Sequence, residues 1–281
     1  MFARVPASSA NLGPGFDTLA VALSLYLDVN LELSDSLDVT SEGCGAGIFD
    51  DERHLGVRVA RSILGHSNFK IHVNSQIPVS RGLGSSAALA VAAAAAAGAE
   101  NPLAQGTEVD GHAENAAASV LGGLVVAAGH DERALARRLP LDPAWRFVVV
   151  VPEIELATAD ARRVLPTSVA FADAVANLSA LGMLIAGLAH HEDFVTSSMD
   201  DRLHQPYRGE LLPFADDLLA ALREGGAEGS CWSGAGSTML ALTTVERAED
   251  VTTAARAFLS RRGIGAEVHA LEADLVGLVR S

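Results

Sequence analysis

Apolar and polar positions alternate over Tyr26-Leu27-Asp28-Val29-Asn30-Leu31-Glu32-Leu33, the second half of the stretch 18–33. A two-residue period predicts a strand with one buried face. The same period returns over 69–77, ends at Pro78, and leaves Lys70 at a solvated strand position. Between them, 35–50 is rich in Asp, Ser and Gly and reads as a turn region, and 53–64 reads as a helix. Arg81-Gly-Leu-Gly-Ser-Ser runs into alanines up to Ala97. Alanine is the best helix former and Gly98 a stop, so a glycine loop feeds directly into a helix start. A second helix is expected over 102–120, and Gly122-Gly123 opens a strand to Ala128. The charged segment Asp131–Leu141, with Pro140 and Pro143 at its end, reads as a boundary. Strands are expected at 146–151, 228–233, 238–242 and 265–271, and helices near 167–191, 209–224 and 246–262. Both halves mix strands and helices without a regular βαβ repeat, which predicts an α+β chain. The division expected is 1–143 and 144–281.

Composition narrows the function classes. Of 281 residues, 49% are hydrophobic and 20% charged, enough apolar material for real cores. The net charge is 20 − 35 = −15, which argues against sequence-independent nucleic-acid binding and against docking on an anionic membrane. Lys70 is the one lysine among 20 basic residues. That excludes a Walker-type phosphate loop and a protein kinase with a strand lysine. A Schiff-base enzyme would have to use Lys70. The two cysteines, Cys44 and Cys231, form no CxxC pair, so a cysteine zinc site is not expected. The N-terminus lacks a signal pattern, and the longest apolar run, Ala87–Ala97, is about half a membrane span. A soluble chain in a reducing cytoplasm, with no nucleic-acid or membrane partner, is the expectation.

Three glycine-rich segments carry the chemistry. The middle one is Ile77-Pro-Val-Ser-Arg-Gly-Leu-Gly-Ser-Ser-Ala-Ala-Leu89. A glycine loop leading into a helix start offers unpaired backbone N–H groups and the positive end of the helix dipole, so it can hold a triphosphate without lysine. It can equally be a plain capped helix. The first, Pro6-Ala-Ser-Ser-Ala-Asn-Leu-Gly-Pro-Gly-Phe-Asp-Thr18, reads alone as a surface loop with turn chemistry. The third, Gly229-Ser-Cys-Trp-Ser-Gly-Ala-Gly-Ser-Thr238, reads alone as a glycine-rich hairpin.

In this order the three resemble the signatures of the GHMP kinase superfamily, the middle one its PxxxGLGSSAA phosphate loop. Within the superfamily the chain most resembles the homoserine kinases. Ser9–Asp17 is near that family's wording. Gly111-His-Ala-Glu-Asn115 with Leu121-Gly-Gly123 resembles its GHPDN…LGG segment. Leu156–Pro166 resembles T-x-x-x-R…LP, and Asp201–Arg208 resembles D-x-x-H-x-P-x-R. The resemblance implies a two-domain fold, an N-terminal domain like ribosomal protein S5 domain 2 and a ferredoxin-like C-terminal domain, with the site between them. It implies ATP-dependent phosphorylation of L-homoserine to O-phospho-L-homoserine, a step of threonine biosynthesis, with Mg²⁺. It leaves open a homodimer, another GHMP small-molecule kinase of mevalonate or shikimate type, and a non-catalytic ligand-binding relative.

By the same resemblance the phosphate cradle is Pro78, Val79, Ser80, Arg81, Gly82, Leu83, Gly84, Ser85, Ser86, Ala87 and Ala88. The metal falls to Ser86 and Glu108, with Asp110 in reserve. Arg162 and Arg208 are expected to take the substrate carboxylate, Asp17 the ammonium, and Thr158 a phosphate or hydroxyl, while Arg163 faces elsewhere. Planar guanidinium suits a carboxylate through paired hydrogen bonds. Asn11, Asp17, His112 and Asn115 make up the catalytic set, Asn115 holding the reacting hydroxyl and Asn11 the hydroxyl or the γ-phosphate. Glu114 stands where the family has Asp, and Ala113 where Pro is common. Asp17 and His112 are the conceivable general bases, but direct in-line attack is the leading expectation.

Overall fold

The computed structural model describes residues 1–129 and 133–281. Its first sheet has seven strands: β1 (Phe2–Asn11), β2 (Gly15–Leu33), β3 (Asp38–Gly43), β4 (Phe69–Ser75), β5 (Leu124–Ala128), β6 (Leu135–Leu139) and β11 (Val279–Arg280). The main path runs β11-β1-β2-β4-β3, and β5 pairs with both β2 and β6. The helices α1 (Leu55–Leu64), α2 (Ser85–Ala96), α3 (Pro102–Asp110) and α4 (Glu114–Leu121) belong to the same half. The second sheet is antiparallel, with β7 (Trp145–Pro152), β8 (Gly229–Trp232), β9 (Met239–Thr244) and β10 (Ala266–Leu271) in the order β10-β7-β9-β8. With α8 (Ala215–Glu224) and α9 (Ala248–Arg262) this is the βαββαβ arrangement of a ferredoxin-like unit. Between β7 and α8 come α5 (Thr158–Arg163), α6 (Phe171–Ala189) and the single turn α7 (Gln205–Arg208). The α+β, two-part architecture expected from the sequence is the one observed, and β11 returns the chain's end to β1.

Several elements differ from the sequence reading. The turn region 35–50 contains β3, parallel to β4. The helix expected over 102–120 is two helices, because Gly111 adopts φ 78° and ends α3. The boundary segment contains β6, paired with β5; its first two residues, Asp131 and Glu132, lie outside the described residues. The first glycine-rich segment is not a surface loop. Residues 6–11 lie in β1, with Ala7, Ser8, Ser9 and Ala10 all buried.

Two helices set the site's frame. Every residue of α2 from Ala87 to Ala96 is buried except Leu89, which is partly so. Alanine side chains let the sheet and α1, α3 and α4 approach closely; larger ones would overpack the interior at a cost of about 1–3 kcal/mol. The other is α6, whose mean hydropathy of 1.6 makes it long and apolar enough to cross a membrane by length and composition. The helix expected near 167–191 is this one; Asp173, Asn177, Ser179 and Gly182 interrupt its apolar positions, which is why Ala87–Ala97 reads as the longer uninterrupted run. It buries Asn177, Leu184, Gly187 and Leu188. Asn177 donates to Pro14 O at 2.8 Å and accepts from Arg202 N at 3.1 Å, tying the helix to the first glycine segment.

Candidate active site

The three glycine-rich segments converge. Gly84 caps α2 in the left-handed region (φ 69°) with no side chain closing the helix end. The first turn's bond is Ala88 N to Gly84 O, so the helix offers no partner to the N–H groups of Ser85, Ser86 and Ala87. A Cβ on Gly84 would collide with Ser8 Oγ, and one on Gly82 with Ser233 O, so only glycine fits at either position. Ser233 Oγ donates to Gly82 O at 2.7 Å and lies 2.8 Å from Ser9 Oγ, joining all three segments at one hydroxyl.

The β1–β2 turn supplies the next wall. Asn11 (φ 74°) and Asp17 (φ 51°) take left-handed backbone conformations. Asn11 Oδ1 accepts from Asp17 N at 3.0 Å, and its Nδ2 donates to Gly234 O at 2.9 Å. Asp17 receives two hydrogen bonds from Arg162 on α5, at 2.6 and 3.1 Å.

On α7, Arg208 is 2% exposed. Its Nη1 donates to Gly234 O at 2.7 Å and lies 3.0 Å from His204 Nδ1, while Nε reaches Ala161 O at 3.4 Å. Burial, then the charge of Arg162, pushes its pKa down to about 10. His204 is fully buried, and burial pushes its pKa down to about 4. Phe16 stacks on the His204 ring at 5.0 Å, and both guanidinium groups lie 5.5 Å from the Phe16 ring centre.

The opposite wall is acidic and comes from the α3–α4 turn. Burial raises Asp110 to a pKa of about 6. His112 Nδ1 sits 2.7 Å from Glu114 Oε1, a contact whose angle falls short of a formed hydrogen bond. Burial works to lower the His112 pKa, but Glu114 and Asp110 outweigh it and hold it above the ordinary value. Asn115 Oδ1 accepts from Ser8 Oγ at 2.8 Å. Glu114 is 1% exposed and its Oε2 has no hydrogen-bond partner among the described residues. Ligand atoms of Asp17, His112 and Glu114 lie within 4.8 Å of one another.

A cleft of about 260 Å³ joins these walls. Of the residues expected from sequence it gathers Asn11, Asp17, Ser80, Gly82, Gly84, Ser85, Ser86, His112, Asn115, Thr158, Arg162 and Arg208, together with Asp110 and Glu114. It does not gather the rest. Glu108 is exposed on the other face of α3, over a groove with Arg58 and Arg61. Asp110, two residues on, faces the cleft in its place. Leu83, Ala87 and Ala88 are core residues behind the loop. Arg81 points to Glu153 O and Glu155. Pro78 precedes the cleft, and Val79 lines a second, apolar recess of about 250 Å³. That recess contains Ile48, Phe49, His54, Leu55 and Leu89 and meets the cleft at Ser85 and Ser86. Sequence reasoning named the segment Asp201–Arg208 but drew only its arginine; His204, Asp201 and Phe16 were missed, though all lie inside quoted segments.

Comparison with known proteins gives a consistent result. Residues 54–124 match the family described as GHMP kinases N terminal domain, and 184–261 match GHMP kinases C terminal. A homoserine kinase of Moorella thermoacetica is 38% identical over 283 residues, 95% of each chain. One of Desulfitobacterium hafniense is 36% identical over 98% of this chain and 97% of its own. The crystal structure of homoserine kinase from Cytophaga hutchinsonii superimposes with a TM-score of 0.85 at 28% identity, covering 99% of this chain and 96% of the other. A Streptococcus pneumoniae phosphomevalonate kinase, solved with phosphomevalonate and AMPPNP, shares the fold at a TM-score of 0.70 and 14% identity, covering 97% of this chain and 99% of its own.

Proposed function

The chain belongs to the homoserine kinases among the GHMP kinases, and from that premise we propose how its own residues bind two substrates and carry one phosphoryl group between them. The reaction is ATP + L-homoserine → ADP + O-phospho-L-homoserine, and membership in the GHMP kinases implies dependence on ATP and Mg²⁺. The observation that carries the assignment of roles is that residues at α2's open N-terminus, Ser85 and Ser86, line the same cleft as Arg162 and Arg208.

The N–H groups of Ser85, Ser86 and Ala87 and the positive end of α2 cradle the triphosphate. The purine base occupies the apolar recess beside Ser85 and Ser86. Homoserine lies with its carboxylate toward Arg208 and Arg162, its ammonium toward Asp17, and its hydroxyl toward Asn115 and His112. Asn11 holds the Asp17 backbone and Gly234 in place.

The donor set suits Mg²⁺, which prefers hard oxygens and keeps several waters. Ser86 Oγ at the start of α2 and, on the acidic wall, the Asp110 carboxylate and the buried Oε2 of Glu114, without a hydrogen-bond partner among the described residues, are oxygens of residues lining the same cleft. We place the metal on Ser86 and Asp110, with Glu114 beside them, rather than on Glu108. When bound, Mg²⁺ offsets charge on the β- and γ-phosphates.

The chain's remaining work is positioning. Both oxygens of Asp17 already accept from Arg162, so this carboxylate is engaged in positioning rather than directed at the reacting hydroxyl. Attack is in line by the homoserine hydroxyl oxygen on the γ-phosphorus. The P–O bond to ADP breaks, and the hydroxyl proton leaves to a γ-phosphate oxygen. The test is coupled ADP release with L-homoserine against a panel of other alcohols, including mevalonate and shikimate. Turnover selective for homoserine is expected, and equal turnover of the panel would sink the assignment. In the same assay Asp110→Asn raises the Mg²⁺ concentration needed for half-maximal rate, and Glu108→Gln does not.

A further inference from the structure

Arg208 is held in an unusual way for a buried cation. Its fixed partners are two carbonyl oxygens and one imidazole nitrogen, with no carboxylate bonded to it among the described residues. The imidazole decides the geometry. His204 Nε2 faces two acceptors, Gly13 O at 2.8 Å and Asp201 Oδ2 at 3.3 Å, so that nitrogen carries the hydrogen. Nδ1 is then a bare lone pair and accepts from Arg208 Nη1. A charged imidazolium would set N–H against N–H at that contact. Asp201 also pins the turn, accepting from the N–H groups of Leu203, His204 and Gln205 at 2.8, 3.1 and 2.6 Å. Phe16 covers the ring's face.

We propose that His204 is a positioning residue for substrate selection: as a neutral Nε2–H tautomer, bridged to Gly13 and stacked on Phe16, it holds the Arg208 guanidinium turned into the cleft to receive the carboxylate of the amino-acid substrate. This rests on the reading that Arg208 binds that carboxylate. His204 itself touches no reacting atom. It joins the first glycine segment, through Gly13, to the substrate arginine. Nη2 of Arg208 has no recorded partner among the described residues and is the atom the arrangement leaves for the ligand.

Two amides separate the ring's two contacts. An Asn at 204 places an amide oxygen near Nδ1 and keeps an acceptor for Arg208. A Gln places its amide near Nε2 and keeps the donor to Gly13, but gives Arg208 nothing. The substrates are L-homoserine and 3-aminopropan-1-ol, the same molecule without its carboxylate. For His204→Gln, kcat/KM for homoserine falls tenfold or more, mainly through KM, while that for 3-aminopropan-1-ol changes less than threefold. His204→Asn recovers most of the loss. Arg208→Ala on the same pair reports on the underlying reading. If it impairs both substrates alike, Arg208 does not bind the carboxylate and the whole idea falls. If it discriminates and His204→Gln does not, the His204 inference alone is overturned. A measurement on the unaltered protein stands apart from variant folding: ¹⁵N-resolved NMR of the imidazoles should show His204 as the Nε2–H tautomer at neutral pH. An Nδ1–H tautomer would contradict the bridge.

Discussion

Two arginines face the same cleft and are held in opposite ways. Arg162, on α5, is 37% exposed at its side chain, and its charge is answered by Asp17 through two hydrogen bonds. Arg208, on α7, is buried, and its hydrogen bonds go to carbonyl oxygens and an imidazole, with Asp17 and Asp201 acting on its charge only through space. The first is a cation already in a pair that a zwitterionic ligand can exchange, carboxylate for Asp17 and ammonium for Arg162. The second is a pre-paid cation, desolvated on folding and waiting for an anion. A ligand carboxylate should therefore gain more from Arg208 than from Arg162, because only the latter must first give up a partner.

The largest expected effect tests that ranking directly. Arg208→Ala should lower kcat/KM for homoserine by about a hundredfold or more, since removing one partner of a buried charge pair costs about 2–5 kcal/mol. Arg208→Lys should not restore it, because an ammonium cannot span both carbonyls and the ligand. Steady-state kinetics checks both. A loss below about tenfold would mean that the buried cation is structural.

Next is a stability effect confined to the α7 side. The folded His204 pKa is about 4, against 6.5 for a free imidazole, with burial as the main cause. Asp201, Arg208 and Asp17 are the charged groups facing it. Below pH 6.5 the unfolded chain takes up a proton that the folded chain refuses. The stability due to this group is therefore complete above pH 6.5 and lost as pH falls toward 4. The full loss is at most about 3 kcal/mol. Urea unfolding at a series of pH values should show a steeper fall over that window for the parent protein than for His204→Asn. Equal slopes would mean that His204 titrates normally and that the α7 side is no drier than the α5 side.

How much of this contrast sequence could show depends on the kind of signal. The loop and α2 were legible because their causes are local: Gly82 and Gly84 are needed for the turn, and alanine makes the helix. Strand β1 was not, since Ala7, Ser8, Ser9 and Ala10 are buried on both faces and give no alternation. Strand β3 was hidden in a polar stretch with Val39 as its one buried residue. The choice between Glu108 and Asp110 for the metal turns on helix phase, which sets Asp110 on the cleft and Glu108 over another groove. Two residues turn an α-helix by about 200°, so Glu108 and Asp110 lie on opposite sides. A helix read as running unbroken to 120 gave no reason to choose between them; the stop at Gly111 fixes which side meets the loop. Both arginines were visible as sequence patterns. Their different burial was not, because it arises from Gly13, Gly234 and Phe16, far away in the chain.

The third effect is smaller and belongs to α5. Arg162→Ala should cost about tenfold in kcat/KM for homoserine, carried mostly by KM. It should scarcely change thermal stability, because a partly exposed ion pair contributes about 0–1 kcal/mol. The binding share of Arg162 should also fade with added salt faster than that of Arg208, since solvent ions screen exposed charges more than buried ones. Comparing KM for the two alanine variants and the parent across salt concentrations measures this. A loss for Arg162→Ala equal to that for Arg208→Ala, with the same salt dependence, would erase the distinction between a paired and a waiting cation.

The smallest effect is expected one residue away. Arg163 follows Arg162 on α5, but one residue turns the helix by about 100° and carries its side chain out of the cleft. It is 75% exposed and pairs with Asp160, itself 46% exposed, at an i,i+3 spacing. Such a pair contributes only a few tenths of a kcal/mol. Arg163→Ala should therefore leave kcat/KM within twofold of the parent and the unfolding midpoint nearly unmoved. The variant is informative because it is chemically the same deletion as Arg162→Ala on the same helix. Any general effect of removing a positive charge from an acidic protein appears in both and can be subtracted. If Arg163→Ala lost tenfold, charge near the cleft rather than the bond to Asp17 would explain the Arg162 result. If Arg163→Ala is silent, the loss at Arg162 belongs to the atoms that meet Asp17.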